Sequence, residues 1–365
     1  MKILHTEASC GWGGQEIRIL TEARGLIGRG HEVSLVCPAE ARIFVEAPRY
    51  GVPVVSLPIG RKNLPGLLAM RSYLQAHRFD VINTHSSTDS WLAALATRLL
   101  SMPPPIVRTR HISAPISGNA ATRWLYTSAT RYTATTGEAL RDQLLEALPL
   151  APDRIVSIPT GIDTARFRPA DPALRHTRRV ALGLPPEVPL VGIVATLRSW
   201  KGHRFLVEAM SRPELSGVQL VIVGDGPQSE ALAKQIEVLG LAKRVRMVGN
   251  HQDVVPWLQA FDVFVLPSYA NEGVPQALMQ AMACGLPCIT TAAGAIPEVA
   301  KADVTACVVP AQDVAALAEK LCDLLEDGSL RTRLGETACQ NVVARHGLEL
   351  MLDRMESLFA RAVSA

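Results

Sequence analysis

Thirteen short apolar runs rich in β-branched residues, with helical spacing between most of them, restrict this chain to one kind of architecture. Seven fall in the first half: KILHT (2–6), EVSLVC (32–37), VPVVSLP (52–58), DVINT (80–84), PIVRT (105–109), YTATT (132–136) and RIVSIP (154–159). Six fall in the second: PLVGIVA (189–195), VQLVIVG (218–224), RVRMVG (244–249), DVFVLP (262–267), PCITT (287–291) and TACVVP (305–310). Strand–helix alternation of this kind produces parallel sheets with helices on both faces. Two such series predict an α/β chain of two Rossmann-like, doubly wound domains, and 365 residues suit two domains.

The boundary is expected near 168–188, a stretch that begins RPADPALRHTRRVALGLPPE. It is Pro-rich, charged and without a clean period, so it reads as a linker. The domains are then 1–170 and 171–345. After Gly347 the residues Leu348, Leu350, Met351, Leu352, Met355, Leu358 and Phe359 recur at helical spacing.

Composition closes off several functions. Apolar residues make up 48% and charged residues 19%, enough to bury real cores. A net charge of +3 gives no argument for nucleic acid. Residues 1–170 hold 19 Lys and Arg against 13 Asp and Glu, a surplus of six positive charges that is as consistent with a solvated face as with a binding face. The seven cysteines form no CxxC pair, and Cys37, Cys284, Cys288 and Cys307 sit among apolar or small residues. Reduced, mostly buried thiols and a cytoplasmic protein are expected. MKILHTEAS is not a signal peptide, and no window approaches 18 uninterrupted apolar residues. Peripheral attachment to the inner face of a membrane is left open. RWLYTSATRY (123–132) has the Arg and aromatic content for it, but reads better as an ordinary amphipathic helix.

Candidate site residues cluster where strands end. KILHT runs into SCGWGGQE, where Gly11, Gly13 and Gly14 permit a tight turn and the following helix offers N–H groups to an anion. The dinucleotide fingerprint would need glycine at position 16, where Glu16 stands, so a dehydrogenase is disfavoured. In ATLRSWKG, Arg198 and Lys201 follow a buried strand, and two cations three residues apart suit a diphosphate. VIVGDGPQ repeats the strand-to-helix turn with Gly224 and Gly226, a weak signal by itself. In YANEGVPQALMQAMACGLP, Pro275 suits a first helical turn and Gly285 the left-handed position past the end, giving a helix from about Pro275 to Cys284. Glu272 precedes that helix, and Gln280 lies on its second turn.

With these motifs in place, the chain resembles the retaining glycosyltransferases of family 4, which have the GT-B fold. The resemblance spans nearly the whole chain and is most specific from Glu272 to Pro287, where the family carries a Glu-x7-Glu motif. TLRSWKG, GDGP, IPTGID and the early Gly-Gly-x-Glu match as well. It implies a rear domain for the nucleotide-sugar, a front domain for the acceptor, an interdomain cleft, and a last helix (346–365) returning to the front domain. Arg198 and Lys201 would hold the donor diphosphate, and Glu272 the donor sugar. The backbone of Gly273 and Val274 would meet sugar or phosphate, with Gly14, Gly224, Gly226 and Gln280 also on the donor side. Gly13 and His85 would face the acceptor. His111 matches the histidine placed near the anomeric centre.

Two departures stand out. Gln280 replaces the second motif glutamate and loses its charge, which predicts weaker binding of the ribose. Thr160 stands where asparagine is common, which puts one turn contact in doubt. No Asp-x-Asp triplet occurs, so metal-independent chemistry is expected, with no cofactor beyond a UDP- or GDP-sugar co-substrate and a saccharide or lipid-linked acceptor in surface polysaccharide or lipopolysaccharide synthesis. A sugar-nucleotide epimerase of the same fold, and a non-catalytic partner subunit, stand as alternatives.

Overall fold

The structure, a computed structural model, describes residues 1–112, 116–270 and 272–364. Each of the thirteen apolar runs contains a strand. β1 (Lys2–Thr6), β2 (Glu32–Cys37), β3 (Val54–Ser56), β4 (Val81–Thr84), β5 (Ile106–Arg110), β6 (Tyr132–Thr135) and β7 (Ile155–Ser157) form one parallel sheet in the order β3-β2-β1-β4-β5-β6-β7. β8 (Leu190–Val194), β9 (Gln219–Val223), β10 (Val245–Gly249), β11 (Val263–Leu266), β12 (Cys288–Thr290) and β13 (Cys307–Val308) form a second, ordered β10-β9-β8-β11-β12-β13. Both sheets are doubly wound. Their strand order reverses at β1/β4 and at β8/β11, the switch points outside which such sheets bind ligands.

The chain divides into two compact units, 1–161 with 349–365, and 162–348. The first division precedes the expected boundary at residue 170, and the supposed linker is not one. Pro172–Ala181 is a helix of the second unit, capped by Asp171, whose side chain accepts the N–H of Leu174 at 2.8 Å. Its inward anchor is Arg179, which donates to Ala260 O at 2.8 Å and to Asp262 Oδ2 at 2.7 Å. A helix held down by arginine shows no apolar period, which is why this segment reads as irregular.

The C-terminal helix Leu348–Ser364 buries Met351, Leu352, Met355, Leu358 and Phe359, residues that the spacing marked. Its portion from Glu349 belongs to the first unit. There Arg29 gathers Glu349, Asp353 and Glu356 at 2.6–2.8 Å. Gly25 makes the close approach possible, since a Cβ there would lie 2.5 Å from Leu352 Cδ1.

Two arginines of the first unit, Arg18 and Arg108, lie inside it rather than on a face. Arg18 is fully buried with Glu22 3.6 Å away. Arg108 is buried with its guanidinium 4.4 Å from the Tyr126 ring centroid. RWLYTSATRY is helical as far as Ala129: an α-helix Ala120–Trp124 continues as a π-helix Leu125–Ala129, Leu125 and Tyr126 are buried, and Trp124 stacks on Trp91. Cys37, Cys284, Cys288 and Cys307 are buried thiols, as their surroundings implied. Among the described residues no helix is long and apolar enough to cross a membrane.

Candidate functional site

The second unit gathers its candidate residues at the β8/β11 switch point. The loop after β8 carries Arg198 and Lys201, and the loop after β11 carries Glu272. Leu197 plugs the core, and a single turn of 3-10 helix, Ser199–Lys201, places both cations on one loop, closed by the Lys201 N–H on Arg198 O at 3.1 Å. Gly202 ends that turn at φ 78°, and a Cβ there would sit 2.0 Å from Pro267 O. Glycine is required here because the loop lies directly on the end of β11. The N–H of Tyr269 donates to Trp200 O at 2.8 Å and fastens the two loops together.

The two cations differ in state. Arg198 is exposed, its guanidinium 5.7 Å from the Trp200 ring centroid. Lys201 Nζ donates to both carboxylate oxygens of Glu272, at 2.7 and 2.9 Å. Glu272 is only 4% exposed. Two of the three ammonium protons serve the carboxylate, and one is left for another acceptor. Spacing alone marked Lys201 and Glu272 as separate groups, and the fold joins them.

Glu272 is fixed from behind as well. Its carbonyl accepts the N–H of Ala295 at 3.1 Å, and Gly294, at φ 56°, would place a Cβ 2.1 Å from that same oxygen. Gly294 is a site residue that the motifs missed. Asn271, beside Glu272, lies outside the described residues.

The helix after Glu272 runs Gln276–Ala283, shorter than expected at both ends. Pro275 is its N-cap with extended backbone (φ −72°, ψ 121°), not a residue of the first turn. Gly285 takes the left-handed conformation at φ 72°. Val274 is buried, while Gly273 and Gln280 are half-buried. Among the described residues the Gln280 amide has no hydrogen-bond partner.

Gly224 and Gly226 have a reason that the motif did not suggest. A Cβ on Gly224 would lie 1.9 Å from Ala195 O, and one on Gly226 2.8 Å from Leu197 O. Leu197 and Asp225 are joined by a backbone bond of 3.0 Å, as are Gln228 and Leu197. These glycines press the GDGP turn onto the Arg198 loop and so help to position the cations.

In the first unit, β1, β4 and β5 are neighbours, with His5 near the end of β1 and His85 and His111 directly after β4 and β5. His5 Nδ1 lies 2.9 Å from His85 Nε2, and His85 Nδ1 lies 3.0 Å from His111 Nε2. His5 and His85 are stacked, their ring planes 8° apart. Burial pushes His5 down to about 3 and holds His85 and His111 well below the ordinary imidazole value, with the Arg18 cation adding to the effect on the latter two. His5 was legible only as part of a strand.

Carboxylates fill the neighbouring end of the first helix (Gly14–Gly28). Its N-cap, Gly13, is extended at φ −177°, and neither Gly11 nor Gly13 takes a positive φ. Glu16 turns its buried carboxylate back to the N–H groups of Gly13 and of its own residue. Glu7, fully buried, accepts from Ser9 N at 2.6 Å and from Gln15 Nε2, and burial beside Asp89 raises it to about 8. A carboxyl group of the protein itself, that of Glu16, thus lies against this helix start. Asp89 accepts from Thr6 Oγ1 and from the His85 N–H, at 2.7 and 2.9 Å, and holds the ends of β1 and β4 together. Thr160 also finds a use: its Oγ1 accepts from Arg18 Nη1 at 3.3 Å.

Two doubly wound parallel domains with polar clusters at their switch points define the GT-B class of architecture. Family models agree over most of the chain. Residues 12–166 match "Glycosyltransferase Family 4", and residues 188–327 match "Glycosyl transferases group 1". The protein belongs to this family of glycosyltransferases. It is 28% identical to the 2-deoxystreptamine N-acetyl-D-glucosaminyltransferase of Streptomyces fradiae, over 94% of this chain and 90% of that one. It is also 28% identical to the D-inositol 3-phosphate glycosyltransferase of Xylanimonas cellulosilytica, over 96% and 92%. Among solved structures it is similar to HepE of Anabaena in complex with UDP, with a TM-score of 0.85 at 21% identity over 99% of this chain and 100% of that one.

Proposed function

We propose that this glycosyltransferase moves a sugar, with retention of anomeric configuration and without a metal ion, from a nucleotide-diphosphate sugar to a hydroxyl of a saccharide or lipid-linked acceptor. The observation that carries the reading is the placement of Arg198 and the Lys201–Glu272 pair at the β8/β11 switch point. Cleavage of the sugar–phosphate bond builds negative charge on the departing diphosphate. Cations fixed there bind that state more tightly than the ground state and lower the barrier. The third Lys201 proton and the Arg198 fork would meet the diphosphate, and Glu272 would accept sugar hydroxyls. Gly273, Val274 and Gln280 would line the donor, while the first unit's Gly13, Gly14 and His111 would serve acceptor and sugar. His85, buried and engaged through both ring nitrogens, stands behind His111 and does not meet the acceptor as the resemblance implied. Uridine is the favoured base, because HepE is a structural neighbour solved with UDP. Relatives named for 2-deoxystreptamine and inositol 3-phosphate favour a second acceptor class, the cyclitols.

One assay tests the reading. UDP- and GDP-sugars are supplied with saccharide, lipid-linked and cyclitol acceptors in the presence of EDTA. Acceptor-dependent transfer with a retained anomer is expected, unaltered by the chelator. Isomerisation of the donor with no acceptor product would favour an epimerase, and complete loss restored by Mn²⁺ would contradict metal independence. The same assay on Gln280→Glu separates a weakened enzyme from a non-catalytic subunit. Replacing a neutral hydrogen bond by a charge-assisted one should tighten nucleotide binding by about 2–30-fold. Turnover is expected in both proteins, and tighter binding with no turnover in either would favour the subunit.

A further inference from the structure

We infer that the three imidazoles of the first unit share one proton arrangement, which makes His111 a neutral hydrogen-bond donor through Nδ1 and makes His5 and His85 its positioning residues. The functional consequence rests on the reading of His111 as a sugar-facing group. The arrangement itself rests on geometry alone.

Each of the two N···N contacts needs one N–H and one lone pair. In a chain of neutral rings the contacts must therefore run the same way. Either all three rings carry the proton on Nδ1, or all three carry it on Nε2. No mixed neutral arrangement satisfies both contacts. A doubly protonated His85 would donate in both directions, but full burial and the Arg18 cation oppose that charge.

The inner end of the chain decides between the two. His5 is wholly buried, and among the described residues its Nε2 has no hydrogen-bond partner. Its ring meets Phe359 edge to face at a centroid distance of 6.4 Å, an apolar neighbour. The Nε2 arrangement strands a bare N–H there, whereas the Nδ1 arrangement strands only a lone pair. Orphaned buried N–H groups are the rarer and costlier of the two. So the proton sits on Nδ1 of His5, which donates to His85. His85 then donates from Nδ1 to His111 Nε2, and the outer ring keeps its own proton on Nδ1.

His111 is half-buried at the outer end of this chain. Its Nε2 lone pair is occupied, so the ring has no free basic nitrogen. It acts toward a ligand oxygen as a donor and does not abstract a proton.

Histidine-selective ¹⁵N labelling of the full chain tests the inference without substrate. Two-bond ¹⁵N–¹H correlations and couplings across the N–H···N bonds identify the protonated nitrogen of each ring, with His85→Gln and His111→Gln giving the assignments. Expected in the wild type at pH 7 are Nδ1–H forms of His5, His85 and His111. An Nε2–H form on any of the three, or a doubly protonated ring, overturns the proposal. The N–N couplings link His5, His85 and His111 into one chain of rings in the wild-type spectrum itself, so a variant that fails to fold leaves the test intact.

An activity arm reads the donor role. Asparagine can place an amide N–H where Nδ1–H stood, whereas aspartate there is an acceptor. His111→Asn is expected within about tenfold of wild-type kcat, and His111→Asp lower by roughly 10²-fold or more. The reverse order would overturn the donor role. A wild type with no transferase activity at all would sink the transferase reading while leaving the tautomer result standing.

Discussion

Lys201→Ala is expected to lower kcat for sugar transfer by roughly 10²–10³-fold, the usual effect of removing one group aimed at developing charge. The same change should destabilise the second unit. Lys201 is the partner of a carboxylate that is 4% exposed, and removing one member of a buried pair costs about 3–5 kcal/mol. The two effects are separable. Lys201→Ala combined with Glu272→Ala leaves no unpaired buried charge, so urea unfolding should recover much of the lost stability while turnover stays low. Normal turnover in the single variant would remove the diphosphate role, and an unchanged unfolding midpoint would remove the pair.

Gly294→Ala should be among the most damaging single methyls near the site, with Gly202→Ala and Gly224→Ala. An alanine at φ 56° is strained by about 1–2 kcal/mol, and its Cβ would lie 2.1 Å from Glu272 O. Relieving that clash adds about 1–3 kcal/mol. A total near 2–5 kcal/mol is expected in chemical denaturation. Because the oxygen that must move belongs to Glu272, the carboxylate should shift with it and break register with Lys201. Turnover should then fall together with stability. A variant as stable and as active as the wild type would show that Gly294 does not hold this loop.

The strands were legible for a physical reason. A parallel sheet covered on both faces needs strands that are apolar on both sides, and these read as continuous runs that helices do not imitate at such lengths. VQLVIVG and DVFVLP are examples, and each contains its strand. Pro172–Ala181 failed the same test because its inward anchor is Arg179. The donor-side candidates stood out because Arg198, Lys201 and Glu272 follow strand ends. Their pairing was hidden, since Lys201 and Glu272 lie 71 residues apart. His5 and Gly294 were hidden more deeply. A histidine in a strand and a glycine in a loop acquire meaning only when the sheet order sets β1 beside β4 and the fold brings residue 294 against the backbone of residue 272.

The central claim is that the cations after β8 grip a diphosphate. Crystals grown with UDP, and separately with GDP, test it most directly. The account predicts pyrophosphate oxygens within hydrogen-bond distance of the Arg198 guanidinium and Lys201 Nζ for at least one of the two, with the ribose beside Gln280. A nucleotide bound elsewhere on the chain, or no density beside Arg198 and Lys201 with either nucleotide at saturating concentration, would contradict it.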